Sequence, residues 1–201
     1  TWFPTLYTHL PDGGEIGGTE RVIQRGDVLQ IDWGINRNNF ATDIKRFAYV
    51  LREGELEAPP GILNAFEEAK KVREIIRKNV RSGRTGREQL DEHKQHIRDA
   101  GYVYTELERP SDVPGIEVNV GMHAAGNVSH DVAAGLFEIY PERTKYEVRP
   151  NSILSMEYRV FTPADEWNGR KILVAIEENV LVTERGIEWL YPPQDRVILI
   201  R

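Results

Sequence analysis

Residues 26–46, GDVLQIDWGINRNNFATDIKR, set the tightest constraint on what this chain can fold into. Residues 29–35 alternate apolar and polar side chains as a half-buried strand does. Asn36, Arg37, Asn38 and Asn39 form a polar turn, and a second β-prone run covers residues 40–51. A hairpin closed with Ile35 opposite Phe40 sets Asp32 opposite Asp43. Directly opposed residues have Cβ atoms roughly 4.5–5.5 Å apart, and like charges there destabilise the pair. Two bare carboxylates at that separation need protons, a basic partner or bound cations. Lys45 and Arg46 are at hand as the partner. The alternative is a pair of divalent metals, which in two-metal sites lie about 3.5–4 Å apart. The hairpin alone leaves both open.

Length and composition narrow the classes. With 201 residues, 40% hydrophobic and 29% charged, the sequence describes one soluble globular domain, residues 1–201, large enough to bury a core. A net charge of −6 argues against a nucleic-acid-binding domain. No apolar run approaches the roughly 20 residues a membrane span needs, and no signal-peptide pattern is present. Cysteine is absent, so disulfides and thiolate zinc sites are excluded. Cytoplasm is the expected compartment, and periplasm is equally compatible with that absence. The chain opens on Thr1 rather than methionine, as expected of a processed product or a fragment.

Residues 1–25 read as a short strand with a long loop, in which His9 alone has obvious chemistry. Ile62, Phe66, Ala69, Val72, Ile76 and Val80 recur at three- and four-residue steps, predicting an amphipathic helix of about five turns. Its basic residues interleave with Glu67, Glu68 and Glu74, which makes a solvated face. Thr85 with Glu88 is a capping-box signature for a second helix, with Leu90, Ile97 and Ala100 inward and Gly101 as its stop. His93 and His96 on that helix are expected at the surface. In GMHAAGNVSHD, residues 121–131, Gly126 and Asn127 argue against one continuous helix. Residues 152–161 and 171–183 are β-rich runs around a loop centred near Trp167. Each holds a glutamate among apolar neighbours, Glu157 and Glu177, and a charge there is rarely buried without a partner. A symmetric hairpin sets these two opposite each other. The pattern is that of one α+β domain.

Two aspartates, two strand-embedded glutamates and histidines at 123 and 130 form a constellation that suits manganese, cobalt, iron or zinc. These residues resemble the pita-bread metallopeptidases: methionine aminopeptidase, aminopeptidase P, prolidase and the metal-free relative creatinase. GDVLQIDWG and TDIKRF look like the first two ligand positions (Asp32, Asp43), MHAAGNVSH like the histidine segment (His123, His130), and SMEYRVF and AIEENVLVTERG like the two glutamate strands (Glu157, Glu177). The resemblance implies an antiparallel curved sheet with flanking helices. It further implies two divalent ions, manganese first, bridged by Asp43 and Glu177, with Asp32 completing one and His123 and Glu157 the other. A bridging water, acidified towards a pKa of about 7, would attack the carbonyl after the N-terminal residue of a short peptide. Glu157 would shuttle the proton, His130 would hydrogen-bond the carbonyl or tetrahedral intermediate, and His9 would match the family's pocket histidine.

Departures from the family pattern are Ala124 for glycine, Tyr158 for proline, Lys45 for threonine, Ala175 for an arginine and Asn119 for a histidine. His130-Asp131 leans towards the prolidase and aminopeptidase P branch. The resemblance also implies that the chain begins after the helical first part of the fold. A homodimer is compatible with it. The competing expectations are a non-catalytic binding module on the same scaffold, and a hydrolase or lyase with a non-peptide substrate.

Overall fold

The computed structural model describes residues 4–10, 15–17 and 21–201. The long loop expected within residues 1–25 falls partly outside them. In chain order come β1 (Thr5–His9), β2 (Glu15–Gly17), β3 (Val28–Trp33), β4 (Asn36–Arg37), β5 (Phe40–Ala41), β6 (Ile44–Val50) and helix α1 (Pro60–Asn79). Then follow β7 (Arg84–Thr85), helix α2 (Gly86–Asp99), β8 (Val103–Tyr104), β9 (Glu117–Val120), β10 (His123–Ala124) and β11 (Glu147–Val148). The chain closes with β12 (Ile153–Pro163), β13 (Lys171–Thr183), β14 (Gly186–Trp189) and β15 (Ile198–Ile200).

One large sheet runs β2-β1-β3-β6-β13-β12-β9-β8. Its ladders are antiparallel as expected, except that β8 lies parallel to β9 and β15 parallel to β6. The first helix spans the residues its periodicity marks and buries Ile62, Ala65, Phe66, Ala69, Val72 and Ile76. Burying each of the larger ones, Ile62, Phe66, Val72 and Ile76, contributes about 1.5–3 kcal/mol. Phe66 stacks on Phe47 of β6 with ring centroids 5.8 Å apart, and the Tyr158 hydroxyl donates to the Ala69 carbonyl at 3.0 Å. Tyr158 therefore ties the sheet's helix side to α1, leaving its neighbours in β12 to face the other way. Among the described residues no helix is long and apolar enough to cross a membrane.

The second helix carries the capping box read from the sequence, with Thr85 and Glu88 each bonding the other's backbone. It ends where Gly101 adopts φ +89°, a conformation that suits glycine. Two expectations on this helix are corrected. Ala100 is exposed, whereas His93 is fully buried. His93 lies three residues after Leu90 and four before Ile97, on the inward stripe itself. Its ring sits between the carbonyl oxygens of Gln89 and Ile76, at 2.5 and 3.2 Å, and so links the two helices.

The decisive correction is the register of the first hairpin. Asp32 stands opposite Lys45, not Asp43. Asn38 and Asn39 both take positive φ, 52° and 60°, which makes a two-residue type I′ turn between Arg37 and Phe40. The expected four-residue turn would have set Asp43 there; the tighter turn moves each partner two residues along. Because successive residues alternate faces, a shift of two keeps the same face and changes only the neighbour.

Left-handed backbone costs an ordinary L-residue about 1–2 kcal/mol, and asparagine less. Asn38→Ala with Asn39→Ala should therefore lower stability by about 1–2 kcal/mol in urea unfolding, while Asn39→Gly holds the wild-type midpoint. An unchanged midpoint in the double-alanine chain would show that this turn does not select the register.

Candidate metal centre and cleft

The corrected register builds a row of charge across four strands. Lys45 pairs with Asp32 on one side and Glu177 on the other, and Glu177 pairs with Glu157 as the symmetric hairpin predicts. Directly paired residues share a face, so Asp32, Lys45, Glu177 and Glu157 all point the same way. The Lys45 ammonium lies 2.8 Å from Glu157 Oε1 and 3.2 Å from Asp32 Oδ2, and it also donates to Glu177 Oε2. An ammonium has three protons, and each here has a carboxylate oxygen before it.

Asp43 joins this row from the break between β5 and β6. Its amide donates to Asn179 Oδ1 at 3.0 Å, and its carbonyl lies 3.1 Å from Ser155 Oγ. Ser155 Oγ also bonds Glu177 Oε1 at 2.6 Å. His123, opposite Ser155 in the β10–β12 pair, has Nδ1 3.2 Å from the Ala124 carbonyl and Nε2 3.1 Å from Glu177 Oε1. The Nδ1 contact orients the ring so that Nε2 faces the acids. His130 comes from a loop clipped to the hairpin tip by the Ala41 amide, which donates to the Gly126 carbonyl at 2.6 Å. Its ring stacks on His123 at 4.0 Å, with Nε2 3.2 Å from Asp43 Oδ2.

These side chains lie at a cleft of about 520 Å³, lined by Asp32, Lys45, His123, His130, Glu157 and Arg159 among others. Arg159, two residues beyond Glu157, places its guanidinium 2.9 Å from Glu157 Oε1. It stands opposite both Ala175 and Asn119, the two positions noted as departures, and contacts the Asn119 amide oxygen at 3.4 Å. An arginine is thus supplied to this face from the neighbouring strand. Ser155 and Arg159 join the site without having been expected there, although alternation about Glu157 puts both on its face. Glu178, the buried neighbour of Glu177, was likewise not expected and faces away to Arg46 at 3.0 Å.

The electrostatics follow from burial and proximity. Burial pushes Asp32 up to about 6, with the Lys45 charge opposing it. Asp43 is raised as well, chiefly by burial, with the His130 hydrogen bond opposing it. Burial would also raise Glu177, yet Lys45 and His123 hold it well below the usual carboxylate range. Burial would lower Lys45 and His123, and the surrounding acids raise both instead.

The donors fit a divalent ion on the His123 side. His123 Nε2 lies 3.1, 3.8 and 3.9 Å from Glu177 Oε1, Glu157 Oε2 and Asp43 Oδ2. Ligand atoms about 2.0–2.2 Å from one ion stand roughly 3–3.6 Å apart, so small adjustments close a shell. A second group, Asp32, Asp43 and Glu177, also has ligand atoms within 4.8 Å of one another. Two of those three acids are already partners of Lys45.

His9 is buried near Gln30 and does not line this cleft. Burial lowers its pKa to about 4, against a Gln30 hydrogen bond that raises it. The unfolded chain, near 6.5, binds the proton first, so His9 favours folding fully above about pH 6.5 and loses that contribution as pH falls towards 4. The span corresponds to about 3 kcal/mol. His9→Gln should flatten the stability–pH curve between pH 6.5 and 4 relative to wild type; parallel curves would assign the acid loss elsewhere.

The family model for metallopeptidase family M24 matches residues 6–184 of the chain. No curated protein sequence matches it. Among solved structures, X-Pro aminopeptidase from Thermotoga maritima MSB8 superposes with TM-score 0.69 at 20% identity, covering 98% of this chain and 49% of that one. Xaa-Pro dipeptidase from Bacillus anthracis gives 0.65 at 21%, covering 97% and 48%. Methionine aminopeptidase from Rickettsia prowazekii gives 0.59 at 14%, covering 92% and 71%. These likenesses show the pita-bread fold, and the chain spans about half the length of the first two proteins.

Proposed function

The chain belongs to metallopeptidase family M24, and from its site we propose that it hydrolyses the N-terminal peptide bond of short peptides in the manner of an Xaa-Pro dipeptidase or aminopeptidase. The observation that carries this reading is the convergence of Asp43, His123, Glu157 and Glu177 beside an open cleft. A divalent ion held by these residues, manganese by preference, would supply carbonyl polarisation and a water acidic enough to lose its proton near neutrality. Mixed carboxylate and imidazole donors suit such an ion.

The chain's own residues do the rest. Glu157 takes the proton of the attacking water and passes it to the departing amine. Lys45 and Arg159, both in contact with Glu157 Oε1, hold that carboxylate in place. His130 has a half-exposed ring at the cleft and donates a hydrogen bond to the scissile carbonyl oxygen as charge develops there. Tyr7, Phe137, Ile139, Tyr140 and Leu173 line apolar walls for the peptide's side chains. The Arg159 guanidinium offers a match for a free carboxylate, which favours dipeptides over longer chains. His9 lies outside the lining, behind Tyr7 and Gln30, and is given no step in this reading.

With manganese present, a panel of Xaa-Pro dipeptides, non-proline dipeptides and longer peptides should show turnover. Glu157→Gln should lower kcat by about 10²–10⁴-fold with its unfolding midpoint preserved. Near wild-type turnover in that variant would remove Glu157 from the proton path. A chain inert to the whole panel would overturn the peptidase reading.

A further inference from the structure

Steadying Glu157 accounts for only one of the contacts that Lys45 makes. It is buried, with 7% of its surface exposed, and its place in the row is fixed by backbone pairing to Asp32 and Glu177 on either side. Its ammonium contacts Asp32, Glu157 and Glu177 together. An ion held by Asp32, Asp43 and Glu177 would have to take two of its carboxylates from that ammonium, against a like charge in a site screened from water. The charge balance points the same way. Asp32, Asp43, Glu157 and Glu177 bring four negative charges, of which Lys45 and Arg159 answer two. One divalent ion on the His123 side leaves these six side chains neutral, whereas a second would add two positive charges beside the buried ammonium, which is costly.

We infer that Lys45 supplies, as an ammonium built into the sheet, the second cation of this site, so that the chain takes one divalent ion where its acids would suit two. The inference rests on the metal-dependent reading above and deepens it. The acid row is then a mixed centre, half side chain and half ion. Glu177 is shared between them, with Oε2 on Lys45 and Oε1 facing His123.

The test counts manganese per chain by mass spectrometry after saturation and desalting, for wild type and for Lys45→Thr. The expected result is one ion in wild type and two in the variant. Electron paramagnetic resonance of saturated wild type should show the six-line signal of an isolated manganese ion. That measurement, like the wild-type count, does not depend on the variant folding. Two ions in wild type, or a spin-coupled pair, would overturn the inference and leave the peptidase reading standing. One ion in both chains would also overturn it, because Lys45 would not be what excludes the second. No ion in wild type with ions gained in Lys45→Thr would overturn the inference and the metal-dependent reading together, because the native chain would hold no ion at all. No ion in either chain would overturn both.

Discussion

The structure depends on one cross-strand alignment: the pairing of Lys45 with Asp32 and Glu177, continued through Glu177 to Glu157. Four side chains from four strands meet because backbone ladders put them level, not because their carboxylates attract. Left to themselves the acids would repel, and a buried charge without a partner is among the more costly things a fold can hold. The ammonium between them changes the sign of the interaction. The surrounding parts act as supports for that alignment. Ser155 and Asn179 anchor Asp43 beside the row, and Tyr158 fastens its strand to α1 from the opposite face.

The features legible in the sequence were those governed by a single short-range rule. Helical steps of three and four marked α1, a capping box marked the start of α2, and a symmetric loop set Glu157 against Glu177. The hairpin register was not legible, because it turns on whether Asn38 and Asn39 accept positive φ. Asparagine tolerates that conformation without demanding it. His93 was misjudged because histidine is polar by habit, although its spacing from Leu90 and Ile97 marked the buried stripe. Arg159 was not legible because the arginine expected at this face belongs to position 175 of β13, where the chain has alanine. In three dimensions the adjacent strand serves the same face.

That substitution shows how an antiparallel ladder relaxes the link between sequence position and site geometry. A side chain moved to the directly opposed residue keeps its face and shifts its Cβ by only about 5 Å. Long, flexible arginine absorbs that displacement easily. Tyr158, standing where a proline is usual, illustrates the converse. It faces α1, so its identity answers to helix packing and leaves the acid row untouched.

The ammonium in the row also bears on how such a protein comes into being. Where ions alone hold acids together, a newly made chain must find metal before its core can close. Here Lys45 is delivered by the ribosome with the rest of the polypeptide. Three of the acids can thus be gathered around an ammonium as the strands zip, before any ion is bound.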